Sequence, residues 1–281
     1  MNFIDLHTHT TSSDGTYTPN ELAKYAILKK LSAIAITDHD TISGIEEAKK
    51  SAIGSPLEII SGIEISSNYN SKEIHILGLL IDHKDTHLIN HLQQMQLERE
   101  NRNLKMVDKI KSLGYKISYT ELLNESNGNI ITRAHFARSL YDTNQISSMK
   151  DAFDNIIGFG CPAYIERDTI GYKDAIELIV KSRGIPILAH PLLYNLSDRE
   201  LKQLVKTLSE NGLKGLETIY HCFSKSQTNY LYNIAVNNNL LITGGSDFHG
   251  RNRAEVDLGK CKVPYKILKD LKKSHESLYS K

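Results

Sequence analysis

The chain has 281 residues, of which 40% are hydrophobic and 24% are charged, and its formal net charge is +1. This length allows a large buried core, and the balanced charge excludes a strong global field for nucleic acid or a membrane surface. Cys161, Cys222 and Cys261 are too few and too far apart for a disulfide framework or a thiolate zinc site. No segment approaches the roughly 20 apolar residues of a membrane span, and the amino terminus lacks a signal-peptide pattern, so we expect a cytoplasmic protein.

Apolar strand-like runs alternate with helical patterns in the first part of the chain, which predicts strands joined in parallel by helical crossovers. Thr18 can cap the first helix, Pro19 suits its first turn, and Glu21 lies at the position that completes a capping box. The predicted elements are strands at 3–6, 32–37, 57–66 and 75–81 and helices at 19–30 and 44–52.

The pattern changes at about residue 86, where a long polar helix is predicted over 86–113. Almost no strand signal follows until residue 185, which indicates a helical insertion. The alternation then resumes, and the two halves together give about seven strands, near the eight of a full parallel barrel. We therefore predict a barrel formed by residues 1–86 and 172–281, interrupted by a helical cap over 87–171. The later elements are helices at 172–182 and 197–211 and strands at 185–189, 215–220 and 240–245.

Potential metal ligands cluster where these strand-like runs end. A core strand gains nothing by ending in an imidazole or a carboxylate, and barrel strands bring such side chains together at their carboxyl ends. Imidazole and carboxylate groups in combination suit divalent metal ions. The pattern therefore predicts one metal site. The residues concerned are His7, His9, Asp38, His39, Asp40, Glu64, His75, His190, Asp247 and His249.

Taken one at a time, these residues differ in how strongly they indicate a metal ligand. Asp14, in the sequence SSDG, is by itself an ordinary turn residue, and His75 or His190 alone would be a core histidine. Glu64 lies within an apolar run, where a buried carboxylate without a cationic partner would be costly. A bound metal ion would remove that cost.

Other histidines are less suited to a site. His83, His87 and His91 could align on one face of a helix, but they lack the glutamate of an HExxH motif and the helix is polar. A solvated helix face is the better interpretation. His221 follows another strand-like run and could be a group that supports the metal ligands, a substrate contact or a loop residue, so it stays unassigned.

Seven short motifs occur along the chain: HTHT at 7–10, SDG at 13–15, TDHD at 37–40, GIEIS at 62–66, HILG at 75–78, AHP at 189–191 and SDFH at 246–249. As a set and in this order they resemble the polymerase and histidinol phosphatase (PHP) superfamily. The resemblance covers residues 1 to about 82 and 172 to about 250. It implies an α/β fold, a distorted (β/α)7 TIM-like barrel, and a site for three divalent metal ions.

The same resemblance implies how the ligands divide among the ions. Glu64 would bridge two of them, and Asp38 and Asp40 would orient ligands from behind. A mixture of imidazoles and carboxylates without thiolate suits manganese, iron or zinc and suits calcium less. The implied groups are His7, His9, Glu64 and Asp247 for the first ion, Glu64, His75 and His190 for the second, and Asp14, His39 and His249 for the third.

The insertion carries a narrower resemblance. LERENRN at 97–103 and ITRAHFAR at 131–138 resemble the helical cap of a subgroup that acts on 3',5'-nucleoside bisphosphates such as pAp. That subgroup also includes enzymes that trim short oligonucleotides from the 5' end. Arginine grips phosphate with two hydrogen bonds, although two of these arginines could instead pair with neighbouring acids on a helix. The candidate substrate contacts are Arg99, Arg102, Arg133 and His135.

The leading hypothesis is metal-assisted attack of water on a phosphoester of a small nucleotide, with pAp giving AMP and short RNA as a further substrate. No protein nucleophile, membrane or stable protein partner is implied. A histidinol-phosphate phosphatase is an alternative enzyme of the same superfamily. A non-catalytic metal-binding module that assists a polymerase is the other alternative, and it predicts missing ligands, whereas every expected ligand has a counterpart here.

Overall fold

The computed structural model describes residues 2–70, 72–126, 130–166 and 170–280. Within them, eight strands form one mixed sheet whose strands are ordered β7, β6, β5, β4, β3, β2, β1, β8. The strands are β1 (Phe3–Asp5), β2 (Ala33–Ile36), β3 (Glu58–Tyr69), β4 (Lys72–Leu79), β5 (Ile185–Leu188), β6 (Gly215–Tyr220), β7 (Leu241–Gly245) and β8 (Val263–Pro264).

The sheet curls into a nearly closed barrel. Beyond the end of β1, the backbone N–H of Leu6 donates to the carbonyl of Gly244 in β7 at 3.3 Å, and that of His9 donates to Phe248 at 2.9 Å. These bonds join β7, at one end of the strand order, to the segment that follows β1, the second strand from the other end. The prediction of a TIM-like barrel is confirmed.

Helices cover the outside of the barrel and form the segment between β4 and β5. They are α1 (Pro19–Leu28), α2 (Ile45–Ala52), α3 (Thr86–Ser112), α4 (Tyr119–Glu125), α5 (Arg133–Asp142), α6 (Met149–Ala152), α7 (Tyr172–Lys181), α8 (Asp198–Glu210), α9 (Lys225–Asn237) and α10 (Tyr265–Tyr279). The predicted helices agree with α1, α2, α3, α7 and α8 to within a few residues. The capping box of Thr18 and Glu21 is present in α1.

The expectation that the strands all run in parallel is wrong for β4, which pairs antiparallel with both β3 and β5. Tyr69 at the end of β3 pairs directly with Lys72 at the start of β4. A connection this short forms a hairpin, because a parallel neighbour needs a crossover of a dozen or more residues. As a result, the start of β4, and not its end, lies with the carboxyl ends of β3 and β5.

The described residues contain one strand more than the seven or so predicted. Val263 and Pro264 form β8, which pairs antiparallel with β1, and α10 follows it. A strand of two residues has no alternation that could be read from the sequence.

The segment between β4 and β5 has an apolar cluster of its own, which includes Met106, Phe136, Leu140 and Ile157. The insertion predicted over 87–171 also contains 127–129 and 167–169, which lie outside the described residues. Its status as a separate cap domain stays a prediction. None of the helices in the described part of the chain has the length and apolar character needed to cross a membrane.

Candidate metal centre

The nine predicted ligands lie together at one edge of the barrel. His7 and His9 follow β1, His39 follows β2, and His190 follows β5 at the carboxyl ends of these strands. The remaining predicted ligands reach the same edge from the loop after β1, from β3, from the start of β4 and from the segment after β7; they are Asp14, Glu64, His75, Asp247 and His249. The reversal of β4 is what allows His75 to join this group.

Glu64 lies at the centre of the group and is 1% exposed. Its Oε1 is 3.0 Å from Nδ1 of His75 and 2.9 Å from Nε2 of His190. Its Oε2 is 3.3 Å from Nε2 of His7, 3.2 Å from Nε2 of His9 and 3.2 Å from Nδ1 of His39. The two oxygens of one carboxylate therefore face two different sets of imidazoles, which is the arrangement that a bridging ligand needs.

Asp247 completes the set on the Oε2 side of Glu64. Its Oδ1 is 3.1 Å from Nε2 of His9 and 3.4 Å from Nε2 of His7. The four potential ligand atoms of His7, His9, Glu64 and Asp247 lie within 4.8 Å of one another. This set could hold one metal ion.

Asp14 brings together a third set of potential ligands. Its Oδ1 is 3.2 Å from Nε2 of His249, and its Oδ2 is 3.9 Å from Nε2 of His39. His9 also belongs to this set by distance, and His39 groups equally with Glu64 and His75. His9 and His39 therefore lie between sets that the resemblance keeps apart.

The donor atoms at the centre fit metal ions. Among the residues that the structure describes, Nε2 of His7 and of His9, Nδ1 of His39 and Oδ1 of Asp14 and of Asp247 are buried without a hydrogen-bond partner. Buried polar atoms in proteins nearly always have a hydrogen-bond partner, so several converging nitrogen and oxygen atoms without one fit a site that binds a cation.

The carboxylates of the site raise the pKa of two of its imidazoles. Burial opposes a positive charge on His9, but Asp247 and Glu64 outweigh burial and raise the pKa of His9 to about 9. Burial also opposes a positive charge on His75, but Glu64 and Glu73 outweigh it and raise the pKa of His75 to about 10. Burial lowers the pKa of His39 to about 3. At neutral pH the metal-free site therefore carries protons on some imidazoles.

Metal binding should therefore release protons, because an imidazole ligates a metal only in its neutral form. We expect net proton release when Mn²⁺ or Zn²⁺ binds at pH 7, and an apparent affinity that rises as the pH increases towards the pKa values of His9 and His75, about 9 and about 10. Titration calorimetry in two buffers with different protonation enthalpies measures the release. His75→Ala should release fewer protons, and equal heats in both buffers would contradict the expectation.

Glu217 is a buried residue of the site that was not predicted from the sequence. Its Oε1 is 3.1 Å from Nδ1 of His7, and its Oε2 accepts the backbone N–H of His190 at 2.7 Å. If Nδ1 of His7 donates to Glu217, Nε2 is left as a metal ligand. A glutamate within the buried run GLETIY is the same sequence signal that pointed to Glu64.

Replacing Glu217 with glutamine should weaken metal binding without removing a ligand. We expect an affinity loss of about 10- to 100-fold, as is usual for groups that support metal-bound histidines. Titration of the metal-free protein with Zn²⁺ measures it, with Glu210→Gln on the exposed surface of α8 as the control. Unchanged affinity would show that Glu217 has no part in orienting His7.

Asp38 and Asp40 bind the chain segments that surround the candidate ligands. Asp38 accepts hydrogen bonds from the backbone and hydroxyl of Thr10, both at 2.7 Å, and from the hydroxyl of Ser13 at 2.6 Å. These bonds fix the loop that carries Asp14. Asp40 accepts the backbone N–H of Ser66 at 2.9 Å and forms a buried ion pair with Arg99.

A cleft of about 570 Å³ opens from the metal ligands towards the helical segment. Its walls include His39, His75 and Asp14 on the barrel side and Arg99, Arg102 and Arg133 on the other side. Arg133 donates to Oε2 of Glu73 at 2.8 Å and lies 6.0 Å from the ring centre of Tyr164. Three predicted substrate arginines thus share a cavity with the predicted ligands.

His135 has a different environment from the three arginines. It is buried at the start of α5, and its Nδ1 accepts the backbone N–H of Thr132 at 3.0 Å as part of a capping box. Burial lowers the pKa of His135. The cleft walls include Thr132 and Arg133 but not His135 among the described residues, so the contact of His135 with substrate stays a prediction.

The other histidines lie outside this group. His83 contacts Glu46 at 2.5 Å, while the exposed rings of His87 and His91 lie with their centres 4.2 Å apart and their planes tilted by 40°. Among the described residues, these three histidines form no metal-binding set. His221 packs beside Tyr220, with ring centres 4.4 Å apart, and stays unassigned.

Comparison with known proteins identifies a family and several relatives of this chain. The PHP domain family model matches residues 5–239. A 5'-3' exoribonuclease of Haemophilus influenzae is 35% identical over 87% of this chain and 89% of its own length. A 3',5'-nucleoside bisphosphate phosphatase of Chromobacterium violaceum is 28% identical over 91% of this chain and 90% of its own length. A crystal structure of a candidate metal-dependent phosphoesterase from Bifidobacterium adolescentis superposes with a TM-score of 0.86 at 27% identity, covering 96% of this chain and 95% of the other.

Proposed function

This chain belongs to the PHP domain family and is a metal-dependent phosphoesterase, and from that premise we propose that it removes the 3'-phosphate of 3',5'-nucleoside bisphosphates, converting pAp to AMP. The observation that carries the proposal is the shared cleft, in which Arg99, Arg102 and Arg133 face the candidate metal ligands. A substrate with two phosphates needs cations away from the metal ions as well as beside them.

We propose the nine residues as ligands of three divalent ions, with manganese, iron and zinc as candidates. Glu64 would bridge the first and second ions, since its oxygens face different imidazoles. Ions held there would supply Lewis acidity at the phosphoryl oxygens and lower the pKa of bound water. The ligand groups are His7, His9, Glu64 and Asp247; Glu64, His75 and His190; and Asp14, His39 and His249.

The protein residues of the cleft would position the substrate. Arg133 would bind the phosphate that does not react, and the energy of that contact would orient the phosphate that does. Glu217 would hold His7 with its Nε2 directed to the centre. The same cleft and the exoribonuclease relative support short 5'-phosphorylated RNA as a second substrate. A cytoplasmic location belongs to this proposal, since all three cysteines are free thiols.

A side-by-side assay tests the substrate class. The metal-reconstituted protein is given pAp, a short 5'-phosphorylated RNA and histidinol phosphate under identical conditions. We expect the highest kcat/KM with pAp and measurable trimming of the RNA. Preference for histidinol phosphate would replace the nucleotide proposal with the histidinol phosphatase alternative. Absence of activity on all three substrates with every ion would favour the non-catalytic alternative.

A further inference from the structure

Arg253 lies beside the candidate metal ligands, and the sequence alone does not predict a role for it. It ends a short 3-10 turn, Gly250–Arg253, which follows directly after His249. Its side chain is 37% exposed and lines the 570 Å³ cleft. It also lines an adjoining recess of about 260 Å³ whose walls include Glu64, His190 and Asp247. Arg253 therefore borders the space directly above the candidate ligands.

One side of the Arg253 guanidinium is held by the metal site. Its Nη1 forms an ion pair with Oδ2 of Asp247 and lies 3.3 Å from the hydroxyl of Tyr220. Tyr220 also donates to Oδ2 of Asp247, at 2.7 Å. Burial disfavours the charged form of Asp247, but Arg253, His7 and His249 together hold its pKa well below the usual range. These contacts fix the orientation of the arginine.

The other side of the guanidinium is available to a ligand. Considering only residues described by the structure, Nη1 is the single nitrogen of Arg253 that is engaged in a hydrogen bond. Nε and Nη2 form the edge of arginine that binds two oxygens of a phosphate at once. The carboxylate that orients Arg253 is itself a candidate metal ligand, so this edge is fixed relative to the ions that would bind the reacting phosphate.

We infer that Arg253 is a catalytic residue that contacts the non-bridging oxygens of the phosphoryl group under attack, whereas Arg133 binds the remote phosphate. This inference rests on the proposed phosphoester hydrolysis but not on the choice of a nucleotide. Charge that accumulates on those oxygens in the transition state would be stabilised by a donor that is already in place. Lysine, a point charge without the planar edge, would replace it poorly.

The test uses the metal-loaded full chain, with inorganic phosphate as the probe and an aryl phosphate as the substrate, because neither depends on nucleotide recognition. For Arg253→Ala we expect the inhibition constant of phosphate to rise about 10- to 100-fold, with a similar or larger fall in kcat/KM. Metal content should remain that of the wild type, since Tyr220 still supports Asp247. Arg253→Lys should recover only part of the loss.

Two controls separate phosphate contact from support of Asp247. Arg251→Ala removes an exposed arginine from the same turn and should leave phosphate inhibition unchanged. Tyr220→Phe removes the other hydrogen bond to Asp247 and should alter metal affinity more than phosphate inhibition.

If Arg253→Ala loses metal and recovers full activity at high metal concentration, Arg253 only orients Asp247 and the inference fails. An unchanged inhibition constant for phosphate would also overturn it. Failure to hydrolyse pAp with intact aryl phosphate activity would instead count against the nucleotide proposal alone.

Discussion

Replacing Glu64 with glutamine is expected to abolish phosphoester hydrolysis while the barrel still folds. Glu64 is the carboxylate whose oxygens face two sets of imidazoles, so its loss affects two of the proposed ions together. The amide has nearly the same shape but no charge, and it binds divalent ions weakly. We expect kcat to fall by about a thousandfold or more, because a bound ion contributes several kcal/mol of transition-state stabilisation.

Metal analysis and circular dichroism complete the Glu64 experiment. The variant should hold fewer ions than the wild type and keep the wild-type helix and strand content. Glu58→Gln is a matched control on the same strand, since Glu58 instead contacts Tyr265 and Lys272. It should behave like the wild type in activity and metal content. A Glu64→Gln protein with full metal content and normal kcat would show that Glu64 is not a bridging ligand.

Replacing Arg133 with alanine should have the largest effect on substrate selection. We expect the KM for pAp to rise about 10- to 100-fold, the range for losing hydrogen bonds between charged groups. The KM for an aryl phosphate, which has no second phosphate, should change little. Steady-state kinetics with both substrates measures the difference. Equal effects on both would contradict a role in binding the remote phosphate.

Loss of Arg133 also removes one ion-pair partner of Glu73, whose Oε1 lies 3.4 Å from Nε2 of His75. The double variant Glu73→Gln with Arg133→Ala removes that complication. If the double variant keeps the raised KM for pAp, the effect belongs to the lost arginine. Recovery of the wild-type KM would assign it to the exposed charge of Glu73. Arg183→Ala, at an exposed arginine that binds the carbonyl of Tyr279, controls for arginine loss in general.

The sequence by itself determined several helices, among them α1 and α3, and the identity of the clustered residues. Helical periodicity and the capping box placed α1, and the long polar pattern placed α3, since both signals depend on residues only a few positions apart. The residues at strand ends were recognisable because an imidazole or a carboxylate is out of place at the end of a buried run. Barrel geometry then implied that they would meet.

Only the tertiary structure decided how these residues are oriented and supported. The contact between His7 and Glu217 joins residues 210 positions apart, and no local pattern encodes such a distance. The reversal of β4 depends on a hairpin whose consequence for His75 appears only when its neighbours in the sheet are known. Arg253 has no local signal in the sequence, and its proposed role depends on the carboxylate of Asp247 that it contacts. Helical periodicity, capping and strand-end residues involve neighbouring positions and can be recognised in the sequence, whereas the direction of each ligand atom depends on packing between distant segments.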